Sequence, residues 1–257
     1  MTCKILCLAN QKGGVGKTTT AVNLAACLAT AERRTLLVDC DAQGNASSGL
    51  GIDRESLRGR NLYHALMDGV PIQDVIRPTQ LKHLDIVPAD QDLIGVEIEF
   101  VAMEDREKKL RRSLREAGIN YEFIVLDCPP SLGFLTINAL VASDCLIVPM
   151  QCEFYAMEGL GLLLNTARLV RERWNPALRL GGILLTMFDA RNLLSHRVSE
   201  DVKRHFGGKV FRTVIPRNVR LSESPSHGLP IVLYDIRSKG AAAYMEWTQE
   251  ILNNGRI

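Results

Sequence analysis

At 257 residues, 46% hydrophobic and 23% charged, the chain can bury a sizeable core, which excludes disorder as its main state. A formal net charge of only +2 leaves any nucleic-acid affinity to local clustering. Seven scattered cysteines with no C-x-x-C pair argue against a disulfide framework or a zinc site, and no apolar run approaches the ~20 residues of a membrane span.

The N-terminus, Met1-Thr2-Cys3-Lys4-Ile5, enters a strand directly and offers no signal peptide, so a soluble, cytoplasmic protein is expected. Short apolar runs then alternate with helix-length segments. Strands are predicted over Lys4–Ala9, Thr35–Asp39, Leu84–Pro88, Phe123–Asp127, Cys145–Pro149, Gly182–Thr186 and Val210–Ile215. Helices are predicted over Lys17–Ala31, Asp92–Ala117, Leu132–Ala142, Glu158–Trp174, Ser195–Phe206 and Gly240–Leu252. The strands are almost wholly apolar rather than alternating, as strands covered on both faces are. The fold class is therefore α/β, a mostly parallel twisted sheet flanked by helices on both faces, with residues 1–257 forming one domain. The densely charged Asp105–Glu116 reads as a solvated helix face with i,i+4 pairs.

Between the first strand and the first helix stands Gln11-Lys-Gly-Gly-Val-Gly-Lys-Thr-Thr-Thr20. Strand, glycine-rich loop, Lys-Thr and helix is the arrangement of a phosphate-binding loop. Gly13, Gly14 and Gly16, with Val15 between them, let backbone N–H groups converge on phosphates, and the start of the following helix adds to the attraction. Lys17 would neutralise the β- and γ-phosphates; Thr18 would give a hydroxyl to Mg²⁺, with Thr19 beside it. Gln11 stands where the usual pattern has its first glycine, and a second lysine, Lys12, precedes Gly13. Lys-Gly-Gly-Val-Gly-Lys-Thr-Thr resembles the deviant Walker motif of the ParA/MinD ATPases. That resemblance implies that Lys12 reaches across a dimer to the partner's nucleotide.

An ATPase of this kind needs carboxylates at the ends of neighbouring strands. Phe123-Ile-Val-Leu-Asp127 is an apolar strand closing on an acid, the Walker B pattern, and Asp127 would hold Mg²⁺ directly or through water. Leu36-Leu-Val-Asp39-Cys-Asp41-Ala-Gln-Gly-Asn45 places two acids at strand spacing. It resembles the family's Asp-x-Asp-x-Gln-Gly-Asn motif, which implies Asp39 near Mg²⁺ and Asp41 orienting the attacking water. No obvious glutamate base is present, so slow intrinsic turnover is expected. After Val210–Ile215 the chain turns at proline, and the resemblance puts Pro216 and Asn218 beside the base.

Leu160–Arg220 carries twelve Lys/Arg against four acids, a net +8, so the remainder carries about −6. This asymmetry favours a basic face for non-specific, salt-sensitive contact with DNA phosphates. Ile215–Gly228, Gly182–Arg191 and Glu153–Leu160 look like the corresponding regions of short Soj-type ParA proteins, and Arg191, Arg217 and Arg220 are the expected DNA contacts. The resemblance implies a DNA-partitioning ATPase with ATP and Mg²⁺ as cofactors. Its ATP-dependent homodimer would bind double-stranded DNA on the nucleoid and be released when a ParB-type partner stimulates hydrolysis. The alternative, a MinD-like membrane ATPase that positions the division site, needs a basic amphipathic C-terminal helix; Tyr244–Ile257 has two acids and one base. An iron–sulfur reductase or metal-cluster carrier would need a cysteine-glycine-glycine setting that Cys128 lacks. His227, in a Ser-Pro-Ser-His-Gly turn, reads as structural.

Overall fold

The computed structural model describes residues 3–57, 59–116, 120–153 and 156–253. Ala117, at the end of one predicted helix, Phe154 and Tyr155 of the Soj-like stretch, and residues 254–257 lie outside these.

Six apolar runs line up in parallel: Lys4–Leu8 (β1), Thr35–Asp39 (β2), Leu84–Val87 (β4), Phe123–Asp127 (β5), Cys145–Gln151 (β6) and Arg179–Thr186 (β7). A two-residue strand, Arg77–Pro78 (β3), pairs antiparallel at one edge, giving the order β3-β4-β2-β5-β1-β6-β7. Proline is tolerated there because an edge strand leaves one row of donors unpaired. The helices are α1 (Lys17–Thr30), α2 (Asn45–Gly49), α3 (Leu62–Met67), α4 (Ile72–Val75), α5 (Ile94–Glu99), α6 (Lys109–Glu116), α7 (Phe134–Ala142), α8 (Ala156–Arg173), α9 (Leu193–Phe206), α10 (Val219–Glu223), α11 (Ile231–Tyr234) and α12 (Lys239–Asn253).

Alternate strand residues serve opposite faces. Cys7, Leu36, Val38, Ile124, Leu126 and Val148 join a core completed by α3, α5, α6, α7 and α8. Leu6, Leu8, Leu37, Val125 and Ile147 join the core under α1 and α12. Burial on both faces explains why these strands show no polar alternation in sequence.

Two expectations fail. The stretch Asp92–Ala117 is not one helix: α5 stops in a short turn at Phe100–Ala102, Met103 is extended, and Asp105 takes φ +53°, the left-handed region. The Arg106 guanidinium donates to the Phe100 and Val101 carbonyls and so closes the end of that turn. Asp105 pairs with Lys108 and Arg112, so the charges fasten the corner before α6 rather than running as i,i+4 pairs.

Val210–Ile215 likewise is not a strand: it touches β7 through one isolated bridge, Val210 to Ile183, and a second bridge follows it between Pro216 and Phe188. The Phe211 and Ile215 N–H groups donate to the Ile183 and Leu185 carbonyls of β7, while Glu250 of α12 accepts from the Arg212 N–H at 2.9 Å, the Thr213 N–H at 3.0 Å and the Thr213 hydroxyl at 2.9 Å. Burial alone would raise the pKa of this carboxyl; these donors reverse the effect and hold it below the usual glutamate value. Glu250→Ala strands those donors and is expected to cost about 2 kcal/mol, read as a lower urea midpoint at unchanged slope.

Candidate active site

β1 delivers the chain into a loop that is fixed at both ends. The Asn10 amide donates to the Pro149 carbonyl at 2.8 Å while its oxygen accepts from the Lys12 N–H at 3.0 Å. Beyond the turn, the Thr186 hydroxyl donates to the Val15 carbonyl at 2.8 Å, tying the loop to the end of β7. Gly14 and Gly16 adopt φ +72° and +82°, conformations that a Cβ would strain. Gly16 caps α1, so the first free N–H groups of that 14-residue helix point into the loop.

The two lysines point different ways. Lys17 is buried and its ammonium donates to the Lys12 carbonyl at 3.0 Å. Burial lowers its pKa, opposed by the nearby Asp127, Cys128 and Asp41. The Lys12 ammonium lies at the rim, in an ion pair with Glu153, both side chains about two-fifths exposed.

Asp39 and Asp127 end neighbouring strands and are register partners. Both are fully buried. Asp39 accepts from the Ser47 N–H at 2.8 Å, the Ser47 hydroxyl at 2.7 Å and the Asp41 N–H at 3.2 Å. Burial still pushes its pKa up to about 6. Neither carboxylate oxygen of Asp127 has a hydrogen-bond partner. Burial, then the adjacent Asp39, raise the Asp127 pKa well above the carboxylate range, while the Thr18 hydroxyl and Lys17 favour its anion. A buried, unpartnered carboxylate beside a threonine hydroxyl is a donor set that suits a hard divalent cation such as Mg²⁺. Asp127 therefore fits a direct or water-bridged ligand; Asp39, with its oxygens already engaged, fits a role behind it.

A cleft of about 430 Å³ runs over the loop, lined by Gly13, Gly14, Gly16, Lys17, Thr18, Thr19, Asp41, Gln43, Asn45, Pro130 and Met187. Asp41 is half-buried and held in a tight turn by the Gln43 N–H on its carboxylate, 3.0 Å, and the Gly44 N–H on its carbonyl, 2.9 Å. A second, more apolar cleft of about 390 Å³ shares Gly16, Thr19 and Met187 with the first and extends over Ile215, Pro216, Arg217, Asn218, Leu221 and Tyr244. The polar cleft over the loop and the more apolar one thus adjoin along a shared wall. Asn218 lines it while its side-chain oxygen caps α10 through the Leu221 N–H.

A family model described as an AAA domain matches residues 3–180. The chain is 54% identical over 249 residues to the chromosome partitioning protein ParA of Myxococcus xanthus, covering 97% of this chain and 88% of that protein. It is 54% identical over 252 residues to the sporulation initiation inhibitor protein Soj of Bacillus subtilis, covering 98% of this chain and 99% of that one. The chain belongs to the ParA/Soj family of chromosome-partitioning ATPases. Among solved structures it is similar to cobyrinic acid a,c-diamide synthase from Mycobacterium smegmatis with bound ATP analog and magnesium, with TM-score 0.86 and 36% identity over 98% of this chain and 96% of that one.

On this ParA/Soj framework two of the three arginines expected at DNA, Arg191 and Arg217, stand on adjoining loops. The Phe188 N–H donates to Ile215 and the Arg217 N–H to Phe188, at 2.9 and 3.1 Å, which brings the loops of Arg191 and Arg217 together. Arg191 is 90% exposed and pairs with Asp189. Arg220, on α10, pairs with Glu223 and Asp235. Arg217 is exposed and lines the apolar cleft.

Sequence reasoning missed four residues. Ser47 holds Asp39 from α2, a helix too short to leave a periodic signal. Met187 lines both clefts at φ +49°, unusual for a non-glycine residue and invisible in the sequence. Tyr244 reads as an ordinary core residue of α12, yet lines the apolar cleft and bonds the Thr20 hydroxyl at 3.1 Å. Glu153 pairs with Lys12 across 141 residues. His227 stacks on Tyr234, ring centroids 4.9 Å apart.

Proposed function

We propose that this protein is an ATP-dependent DNA-partitioning switch, whose ATP-bound homodimer binds DNA non-specifically and is released when a ParB-type partner stimulates hydrolysis. The observation that carries this reading is the division of labour within one loop. Lys17 faces its own cleft, while the Lys12 ammonium stands at the rim, available to a second subunit.

ATP would lie with its phosphates on the 13–19 loop and its base between Pro216, Asn218 and Tyr244. Lys17 neutralises the β- and γ-phosphates. Thr18 and Asp127, with Asp39 behind, would hold Mg²⁺, which would supply charge neutralisation when bound. Asp41 faces the phosphate end of the cleft and orients the attacking water. Lys12 of the partner subunit adds the positive charge that develops its value at the transition state. In an isolated subunit that charge is missing, which accounts for the slow intrinsic turnover expected.

Gly13 tests the cross-subunit seam. A Cβ there would meet nothing within 4 Å, so the free subunit has room for a larger side chain. Gly13→Val is therefore expected to keep ATP binding and lose the ATP-induced dimer in sedimentation velocity; a normal dimer would count against closure through this loop.

Exposed Arg191, Arg217 and Arg220 support contact with DNA phosphates, once Arg191 and Arg220 leave their acidic partners. Replacing Arg217 and Arg220 together by alanine is expected to weaken binding to a non-specific duplex and to reduce the steepness of its salt dependence by about two phosphate contacts. Dimerisation should be spared, and unaltered DNA affinity would move the DNA face elsewhere. The membrane alternative finds less support. The apolar face of α12 is occupied, with Tyr244, Trp247 and Ile251 buried in the core, and among the described residues no helix is long and apolar enough to cross a membrane.

A further inference from the structure

β1 and β5 run in parallel from Ile5 and Ile124 at one end of the sheet to the phosphate loop and Asp127 at the other. At their starting end lies a cavity of about 410 Å³, as large as either cleft at the loop and sharing no residue with them. Ile5, Leu114, Ile124 and Ala142 form its apolar part. Two polar walls of opposite character complete it.

The wall from α6 is cationic. Arg111 and Arg115 both line the cavity and stand one turn apart, on one face of the helix. Their neighbours Arg106 and Arg112 pair with Glu107 and Asp105; among the described residues Arg111 and Arg115 have no ion-pair partner. The half-buried Arg111 guanidinium donates only to the Trp174 carbonyl, at 3.4 Å. Burial, then the charge of Arg115, lower the Arg111 pKa, with Asp144 opposing. An anion between the two guanidinium groups would relieve that crowding.

The wall from the end of α7 and the start of β6 offers acceptors. α7 stops at Ala142 with Ser143 as its cap, so the negative end of a nine-residue helix meets the cavity. One Asp144 carboxylate oxygen accepts from the Ile5 N–H at 2.8 Å, and the other accepts from no described residue. Asn175 is buried, and its amide donates to the Leu140 and Ser143 carbonyls at 3.0 and 2.7 Å, which leaves its side-chain oxygen as an acceptor. The Cys3 thiol beside them stays neutral, its pKa pushed up to about 11 by burial and by Asp144.

This bipolar lining selects a ligand class. A plain anion would meet Asp144 and the helix end, and a plain cation would meet two guanidinium groups. A molecule with a carboxylate and an ammonium satisfies both walls, and an apolar side chain suits the residues between them. We propose that this cavity binds a small apolar zwitterion, an α-amino acid of the leucine kind. Arg111 and Arg115 take its carboxylate, Asp144 its ammonium, and the apolar part its side chain. The site stands on its own chemistry and does not rest on the ATPase reading above.

Isothermal titration calorimetry of the full chain with leucine should show saturable binding, equal with and without saturating ADP and Mg²⁺. Isocaproate, which lacks the ammonium, and isoamylamine, which lacks the carboxylate, should each bind about tenfold more weakly or worse. Arg115→Gln, at an exposed side chain, should weaken leucine about tenfold and leave isoamylamine no weaker. Asp144→Asn keeps an acceptor for the Ile5 N–H and should bring leucine down to the affinity of isocaproate. Arg168→Gln, in a separate cleft at the same end of the sheet, should change nothing. No binding at millimolar leucine, equal affinity for the three compounds, or undiminished binding in Arg115→Gln would each overturn the site. Displacement of leucine by ADP would place it in the nucleotide cleft and overturn the site as well. Wild-type discrimination against isocaproate in Asp144→Asn would overturn the ammonium contact.

Discussion

Lys12→Ala is expected to lower ATP turnover by about 10³-fold or more while ATP still binds. In the free subunit the Lys12 side chain does not enter its own phosphate cleft; it pairs with Glu153 at the rim. An exposed pair of this kind is worth at most about 1 kcal/mol, a factor of roughly five, so releasing the lysine costs little. A cation placed on the transferring phosphoryl group contributes about 10³–10⁵ in rate, or roughly 4–7 kcal/mol. The second term exceeds the first several-fold, so pairing with Glu153 cannot keep Lys12 from a nucleotide that presents itself across a dimer. Steady-state hydrolysis and fluorescent-nucleotide titration together check this. Unchanged turnover with unchanged binding would leave Lys12 a surface charge.

Asp41→Ala should act at the other end of the cycle, slowing the chemical step by about 10²–10⁴ and trapping the ATP-bound dimer on DNA. Asp41 is the suitable acid for this test because its carboxylate is half-buried at the cleft and accepts from the nearby Gln43 N–H, within its own turn. Asp39 is not: it holds Ser47 and the Asp41 N–H from a fully buried position, so its loss would disturb α2 and the turn that carries Asp41 together. Single-turnover hydrolysis, followed beside retention of the protein on duplex, separates the two roles. Wild-type rates in Asp41→Ala would remove it from the mechanism.

Much of this site was legible in sequence because its chemistry is local. Lys17 and Thr18 follow their glycines directly, and Asp39 and Asp127 close apolar runs whose pairing as β2 and β5 brings them together. Both of those strands have the limits that their apolar runs indicate. What could not be read depends on distant partners. The break after Phe100 turns on Arg106 reaching back to two carbonyls and on Asp105 tolerating a left-handed conformation. Val210–Ile215 has strand composition, but Glu250, nearly forty residues later, takes the Arg212 and Thr213 donors. Expected i,i+4 pairs near Asp105 became a corner clasp for the same reason: a broken helix changes which charges meet.

The central claim is that ATP turns this protein into a DNA-binding species that grips phosphates without reading bases. Its most direct test is the affinity of the full chain for a long non-specific duplex, measured in ATP and in ADP across a salt series. Binding should require ATP and Mg²⁺, and its logarithm should fall linearly with the logarithm of salt concentration. Equal affinity in ATP and ADP, or affinity indifferent to salt, would contradict the account.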